Sequence, residues 1–466
     1  MVFSSVAFIF YFLPLTILLY YLVPEKGRNA VLLFASLFFY GFGEPVYILI
    51  MLISIFIDYF NGLLIEKHRA SRVLPKVFLM VSAMGNLGLL GFFKYGDFFL
   101  TNLNSFTGSE YPLLKVALPI GISFFTFQTM SYSIDVYRGN TRAQRNIITF
   151  GAYVTMFPQL IAGPIVIYKD VEKQLMKRST GGETLREGIL RFTLGLGKKV
   201  LLANSIGVLW EEIRLIPLGS LSVATAWLGI LAFSLQIYFD FSGYSDMAIG
   251  LGKIFGFDFL ENFNYPFISQ SITEFWRRWH MSLSRWFRDY LYIPLGGNRK
   301  GKIMSIRNIL LVWLLTGFWH GAAWNYLLWG GYFSVILVLE KYVLKDILQG
   351  MGGVLRRIYA LTLMVFSFAI FAIEDLNLLG SYLQVMLGKG VFMDQRFLYY
   401  VTHFGVLLVI LLVSATPWPY EVFSCFRKRQ GLVGWAVSGS VLAGVFLLSV
   451  AYIVDGAYNP FLYFRF

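Results

Sequence analysis

Long apolar runs alternate with short polar segments along almost the whole chain. A helix needs about 20 apolar residues to cross the hydrocarbon core of a bilayer. The runs lack the apolar–polar alternation of a membrane β-strand. The pattern therefore predicts an all-α, polytopic integral membrane bundle of about eleven or twelve helices. The predicted spans are 3–23, 30–42, 46–64, 77–93, 113–134, 189–210, 223–238, 309–319, 323–339, 359–373, 399–414 and 434–453.

Two segments interrupt this pattern. Segment 157–168 holds two prolines and a glycine within a short apolar run, which cannot sustain a helix. It predicts a re-entrant or buried broken segment. Segment 271–291 repeats aromatic residues at steps of three and four, with arginines among them. That spacing predicts a helix lying in the membrane interface, ended by Pro294 and the glycines after it.

Composition supports a membrane protein. The chain is 57% hydrophobic and 14% charged, whereas soluble domains are about 25% charged. Run 3–23 lacks a basic start and a small-residue cleavage site, so we expect a retained helix rather than a signal peptide. The lone Cys425 excludes an internal disulfide and a paired-thiol metal site.

The net charge of +13 gathers in loops, as in membrane proteins whose basic loops stay in the cytoplasm. This distribution predicts an outside N-terminus and does not indicate nucleic-acid binding. No linker or detachable module is visible, so we expect one integral membrane domain over 1–466. The chain also has no obvious internal repeat, which weakens the interpretation as an inverted-repeat transporter. The basic loops include Lys67, Arg69, Arg72 and Lys76; eight basic residues between 276 and 307 against Asp289; and Arg427, Lys428 and Arg429.

His320 lies between two apolar runs, in a position predicted to be at membrane depth. An ionisable residue there is costly and is functional by default, and imidazole exchanges protons near neutral pH. The alternative is a structural histidine that donates to a backbone carbonyl. His280, on the predicted interfacial helix, is either a second functional group or a residue facing lipid headgroups. His68 and His403 are expected to be a solvated loop residue and a helix-end residue.

A second polar group lies within an apolar region: Asp240, Ser242 and Asp246. These side chains predict either the wall of a polar cavity or a hydrogen-bond network that locks helices together. Lys198 and Lys199 are expected to extend along their helix toward water. The chain has no Gly-x-Ser-x-Gly elbow, no His-x4-Asp pattern and no zinc-ligand spacing, so no metal site is expected.

Several long motifs, in order, resemble the membrane-bound O-acyltransferase family and its alginate O-acetylase branch. They include Phe-Trp-Arg-Arg-Trp-His ending at His280, and Phe-Trp-His-Gly-Ala-Ala-Trp around His320. The further matching segments are 1–5, 92–95, 118–128, 135–139, 157–164, 235–246 and 286–299.

The resemblance implies a helical bundle around a central tunnel and an acyl transfer across the membrane. It implies that His320 is the essential catalytic residue and that His280 lines the same tunnel. On this basis we expect Asp240, Ser242, Asp246, Arg278 and Asn325 to line the tunnel or bind substrate. Arg278 would help His280 to position the donor or stabilise charge.

The resemblance also implies a multi-pass protein of the bacterial cytoplasmic membrane, in contact with membrane lipid and not with nucleic acid. No bound cofactor is expected; the acyl donor would be a cytoplasmic thioester, either acetyl-CoA or an acyl carrier protein. A separate extracytoplasmic SGNH-hydrolase-like acetyltransferase would pass the acetyl group to a polysaccharide. The alternatives are a polysaccharide-export transporter or scaffold, or acylation of a lipid or protein. The sequence does not distinguish alginate from cellulose, peptidoglycan or another polymer.

Overall fold

The computed structural model describes residues 1–161, 163–428 and 432–456. Helices and no strand occur among these residues, which confirms the all-α prediction. The chain divides into two compact units. The first comprises Met1–Phe192 and Met247–Leu260, and the second comprises Thr193–Asp246 and Glu261–Phe466. The expectation of one integral domain over 1–466 stays a prediction.

The first unit is built from helices of very different length. Its π-helical turns are Phe8–Phe12 and Gly91–Tyr95. Its α-helices are Leu13–Leu22, Arg28–Gly43, Ile48–Lys67, Leu74–Leu90, Gly96–Thr107, Ile122–Arg138, Ile147–Thr155, Phe157–Leu160 and Tyr168–Met176.

The second unit contains the other helices, and two long helices, Gly182–Gly197 and Val223–Ile254, contribute residues to both units. Its π-helical turns are Lys198–Ala203 and Arg288–Tyr292. Its α-helices are Asn204–Arg214, Ile272–Arg278, Met281–Phe287, Gly301–His320, Trp324–Tyr342, Lys345–Gly350, Gly353–Ala372, Leu376–Met386, Gln395–Ser414, Trp418–Lys428 and Leu432–Val454.

Eight helical spans among the described residues are long and apolar enough to cross a membrane, so the protein is a multi-pass membrane protein. This number is lower than the expected eleven or twelve crossings because some apolar runs form shorter helices. Arg28–Gly43 has 16 residues and Ile122–Arg138 has 17, and Phe8–Leu22 is also short. The spans are Ile48–Lys67, Leu74–Thr107, Gly182–Arg214, Val223–Ile254, Gly301–His320, Gly353–Ala372, Gln395–Ser414 and Ala436–Val454. Of the last basic loop, Arg429 lies outside the described residues.

The segment predicted to be broken is broken and buried. Helix Phe157–Leu160 has four residues, and the next helix begins only at Tyr168. Phe157, Leu160 and Ile165 are buried. The prolines thus have the expected effect, and protein surrounds the irregular backbone, as its unpaired polar groups require.

The predicted interfacial helix over 271–291 is wrong in two respects. The backbone turns left-handed at His280 (φ 43°), so the segment forms two short helices and a π-helical turn. Its tryptophans do not face lipid headgroups: Trp276 and Trp279 are buried in the second unit. Trp276 packs at 4.5 Å from the ring of Trp313 and 5.0 Å from that of Phe333. The three- and four-residue spacing was therefore the signature of a face buried in protein.

A buried polar network joins three helices of the first unit. The Asp58 carboxylate accepts hydrogen bonds from the Ser82 hydroxyl, from Asn86 Nδ2 at 2.5 Å and from the Ser133 hydroxyl at 2.7 Å. Asn86 Oδ1 in turn accepts from the hydroxyls of Ser54 and Thr129. All of these residues are buried. Each helix thus supplies donors or acceptors that the other helices need.

Candidate active site

A tight helical hairpin presents His320. Helices Gly301–His320 and Trp324–Tyr342 cross where Gly317 faces Gly330, and a Cβ on Gly317 would lie 2.2 Å from the carbonyl oxygen of Tyr326. Only glycine permits this approach. Small residues commonly allow membrane helices to pack this closely. His320 is the last residue of the first helix, because the backbone becomes extended at Gly321.

Aromatic rings enclose His320, which is 5% exposed. The rings of Trp319, Trp329 and Phe371 lie 5.1, 5.0 and 5.5 Å from its imidazole, all near perpendicular. The position at a helix C-terminus favours a positive charge, because the carbonyl end of the helix is partially negative. The surroundings therefore exclude water, while the helix end stabilises a protonated imidazole.

His280 lies beside the same tryptophan. Its ring is 6.2 Å from Trp319 and 4.7 Å from Phe241, and only 1% of the residue is exposed. The left-handed backbone at His280 separates the helices Ile272–Arg278 and Met281–Phe287. The structure thus brings together two histidines that are 40 residues apart in the sequence.

Asn262 fixes the orientation of the His280 ring. Its Oδ1 accepts hydrogen bonds from the Ser282 backbone N–H (3.2 Å) and hydroxyl (2.8 Å), and lies 3.1 Å from His280 Nδ1. Because a backbone N–H can only donate, Oδ1 is the acceptor and His280 Nδ1 carries the hydrogen. Asn262 Nδ2 completes the arrangement by donating to Ser245 Oγ at 3.0 Å.

The second ring nitrogen of His280 is consequently an acceptor in the neutral imidazole. Nε2 is buried and has no hydrogen-bond partner among the described residues. Burial lowers the pKa of His280 well below its ordinary value, and the neighbouring His320 lowers it further. His280 is therefore neutral at neutral pH, and its Nε2 lone pair can accept a hydrogen bond. Sequence analysis missed Asn262, because no spacing rule links an asparagine to a histidine 18 residues later.

The carboxylates of helix Val223–Ile254 form ion pairs with two adjacent lysines. Lys199 Nζ lies 2.7 Å from Asp240, and Lys198 Nζ lies 2.7 Å from Asp246. The helices approach closely, since a Cβ on Gly243 would lie 2.9 Å from the backbone nitrogen of Lys199. Of the two interpretations left open by the sequence, these contacts favour a network that locks the helices.

The prediction that Lys199 extends along its helix toward water is wrong. This residue is 1% exposed and also donates to Asn204 Oδ1 at 2.8 Å. A buried ammonium needs a carboxylate partner, and Asp240, 41 residues further along the chain, supplies it. Ser242 is also buried, and its Oγ has no hydrogen-bond partner within the described part of the chain.

Asn325 supports the aromatic wall around His320. Its Nδ2 donates to the carbonyl oxygens of Ile370 and Phe371, both at 3.2 Å. Phe371 then contacts the His320 ring. Asn325 is fully buried, and its contact with the surroundings of His320 is through the backbone that carries Phe371.

Arg278 points to other partners. Its Nε lies 2.9 Å from Glu274 Oε1, and its Nη1 donates to the carbonyl oxygen of Asn264 at 3.0 Å. The structure therefore brings His280 and His320 together without placing the Arg278 guanidinium against either ring. Within the described ranges, no group of three or more His, Cys, Asp or Glu side chains is arranged to hold a metal ion.

Comparisons with known proteins agree with this architecture. Residues 60–383 match the model of the membrane-bound O-acyltransferase family. The chain is 43% identical to the probable alginate O-acetylase of Pseudomonas aeruginosa over 394 residues, which cover 84% of this chain and 75% of that protein. It is 38% identical to the probable alginate O-acetylase of Pseudomonas putida over the full length of both chains.

A relative with a different named acceptor is also similar. The peptidoglycan O-acetyltransferase of Helicobacter pylori is 37% identical over 373 residues, which cover 73% of this chain and 70% of that protein. The matched family segment contains both histidines and Asn262. The protein is accordingly an O-acyltransferase, and it belongs to the membrane-bound O-acyltransferase family.

Proposed function

We propose that the protein moves an acetyl group from a cytoplasmic thioester donor toward hydroxyl groups of an extracytoplasmic polysaccharide. The observation that carries this proposal is that two buried imidazoles, His280 and His320, lie beside the Trp319 ring. His280 has a fixed tautomer and an acceptor nitrogen without a partner among the described residues. The family supplies the reaction class. The similar proteins named for alginate and peptidoglycan support a polysaccharide as the final acceptor.

The proposed step transfers the acyl group from the sulfur of the thioester donor to the oxygen of an attacking hydroxyl. His320 accepts the proton of the attacking hydroxyl as its oxygen bonds to the thioester carbonyl carbon. The carbon–sulfur bond then breaks, and His320 returns the proton to the departing thiolate. The helix C-terminus stabilises the transient imidazolium, and the aromatic walls suppress hydrolysis by excluding water.

His280 has a supporting role in this proposal. Its ring is held by Asn262, so its Nε2 lone pair has one direction. It can accept a hydrogen bond from the nucleophilic hydroxyl or from a group of the donor. We assign Asn325 to positioning Phe371, and Asp240 and Asp246 to holding the helices that frame the site. We assign Arg278 only a minor role in binding the donor, because its guanidinium is paired with Glu274.

Donor, membrane and partner follow from the same proposal. The donor is acetyl-CoA or an acyl carrier protein, and the protein lies in the bacterial cytoplasmic membrane. A separate extracytoplasmic SGNH-hydrolase-like acetyltransferase receives the acetyl group and places it on the polymer. The basic loops attract the anionic donor to the cytoplasmic face.

The test compares ester acetate on cell-surface polysaccharide in a deletion strain. The strain is complemented with wild type, His320→Ala or His403→Ala at matched membrane levels. His403 is an exposed histidine stacked on Tyr399, so it controls for loss of an imidazole elsewhere. We expect at least a 100-fold loss of ester acetate with His320→Ala, within the range for general acid–base catalysis, and no loss with His403→Ala.

Polymer yield separates the proposal from its rivals. Unchanged yield with lost ester acetate supports acyl transfer through His320. Full acetylation in His320→Ala would make this histidine structural. Loss of the polymer itself would indicate an export transporter or scaffold, and ester acetate appearing on a lipid or protein instead would assign another acceptor.

A further inference from the structure

A basic cavity lies in the first unit. It forms where the loop between helices Ile48–Lys67 and Leu74–Leu90 meets the end of helix Ile122–Arg138. Its volume is about 410 Å³. The lining residues are Ile65, Arg69, Ser71, Arg72, Pro75, Lys76 and Tyr137.

The lining carries three positive charges and no carboxylate. Among the described residues, Arg69, Arg72 and Lys76 form no ion pair. The nearby acid Glu66, in the last turn of helix Ile48–Lys67, instead accepts a hydrogen bond from the backbone N–H of Ala143 at 3.2 Å. Three cations that converge on one cavity repel each other unless an anion joins them.

The position of Arg69 is built into the fold. Its Nη2 donates to the carbonyl oxygen of Val136 at 3.2 Å. Gly139 adopts φ +78°, and a Cβ there would lie 2.6 Å from Arg69 Nη2. Ser71 Oγ accepts from the backbone N–H groups of Val73 and Leu74, both at 3.3 Å, which fixes the turn that carries Arg72.

The surface next to the cavity is apolar and exposed. On helix Leu74–Leu90, which belongs to a predicted membrane span, Val77, Met80, Val81 and Met84 are exposed. Met80 follows Lys76 by one helical turn, so a basic group and an apolar face adjoin. A ligand with an anionic head and apolar chains matches both features.

We propose that this cavity binds the phosphoryl headgroup of an anionic phospholipid, with the acyl chains along the exposed face of helix Leu74–Leu90. Arg69 and Arg72 supply the guanidinium donors that phosphate oxygens prefer, and Lys76 adds a third charge. The loop is basic, as expected for the cytoplasmic side, where such pockets bind lipid headgroups. The site does not depend on the proposed acyl transfer.

The test measures lipid binding by the full-length protein in neutral detergent. Native mass spectrometry follows titration with phosphatidylglycerol, phosphatidylcholine or inorganic phosphate. The test variant is Arg72→Gln with Lys76→Gln, both exposed and therefore safe for folding. The control is Lys26→Gln with Lys67→Gln, which removes the same charge from exposed residues outside the cavity lining.

We expect saturable binding of phosphatidylglycerol, weaker by about tenfold or more in the test variant and within about twofold in the control. Phosphatidylcholine should bind weakly to all three proteins. Equal losses in both variants would mean a non-specific charge effect and would overturn the proposal. Saturable binding of inorganic phosphate that excludes phosphatidylglycerol would overturn it too, since the ligand would then be a soluble anion.

Discussion

Two buried polar regions, one in each unit, differ in how completely their groups are paired. Around Asp58, each carboxylate oxygen accepts a hydrogen bond, and the partner Asn86 uses both ends of its amide. Around His280, the imidazole uses Nδ1 only, and Nε2 remains buried without a hydrogen-bond partner in the described residues. The first region satisfies its hydrogen bonds within the protein, whereas the second presents a buried acceptor that the described residues do not use.

The two regions differ in hydrogen bonding and not in burial. Both regions are deeply buried, and both contain an ionisable group in an apolar chain segment. An unpaired buried acceptor costs about 1–3 kcal/mol, and the one at His280 lies beside a second buried histidine, as the proposed reaction requires. Ser242 Oγ, also unpaired, lies on the same helix as Asp240 in the second unit.

The largest effect is expected from removing the carboxylate of the paired region. Asp58→Ala leaves the hydroxyls of Ser82 and Ser133 and the amide of Asn86 without their acceptor. At about 1–3 kcal/mol for each of these three buried groups, the free energy of unfolding should fall by about 3–9 kcal/mol. Thermal unfolding in detergent and the yield of folded protein measure this loss.

His320→Ala is the matched comparison for that experiment, because it removes a buried ionisable group from the incomplete region. The cavity left by the imidazole should lower its unfolding temperature less than Asp58→Ala does, while ester acetate is lost. A folded Asp58→Ala protein that selectively loses acetylation would break the contrast and make Asp58 a functional residue.

A smaller effect is expected within the second unit, from the buried ion pair of Lys199 and Asp240. Either Lys199→Met or Asp240→Asn leaves one buried charge without its partner, which costs about 3 kcal/mol or more. The double variant removes both charges and should recover most of the loss. A double-mutant cycle on the free energy of unfolding measures the coupling.

The neighbouring pair of Lys198 and Asp246 is the control for this cycle. Lys198 is about one-third exposed, and exposed pairs contribute about 0–1 kcal/mol to the free energy of unfolding.

Acetylation by the stable double variant of Lys199 and Asp240 decides the role of Asp240. Retained ester acetate assigns it to locking helices, and lost ester acetate with restored stability assigns it to the substrate path.

The sequence predicts the membrane bundle and the importance of His320 because both depend on local hydrophobicity. An ionisable residue between two apolar runs is visible without any tertiary information. The sequence does not predict that Trp276 and Trp279 are buried, since a helix in the interface and a helix buried in protein share one periodicity. Nor does it pair Lys199 with Asp240, because that contact depends on how two helices pack.

Asn262 shows the same limit at the site itself. It reaches His280 across 18 residues and a left-handed turn that no propensity indicates. The family resemblance identifies both histidines as a pair, but the hydrogen-bond acceptor that orients one of them emerges only from the fold.

The smallest predicted effect tests this positioning. Asn262→Ala removes the acceptor of His280 Nδ1, worth about 1 kcal/mol, together with the bonds of Asn262 to Ser282 and Ser245. Per amount of folded protein, the rate of acyl transfer should fall about tenfold or less. Asn262→Asp keeps an acceptor but adds a negative charge, which raises the pKa of His280. His280 then loses its acceptor lone pair at a higher pH, so the acid limb of the activity profile should shift upward. Thiol release from an acetyl thioester by purified membranes gives both the rate and the profile. A merely structural asparagine would lower the amount of folded protein and leave the acid limb in place, and that result would remove Asn262 from the mechanism.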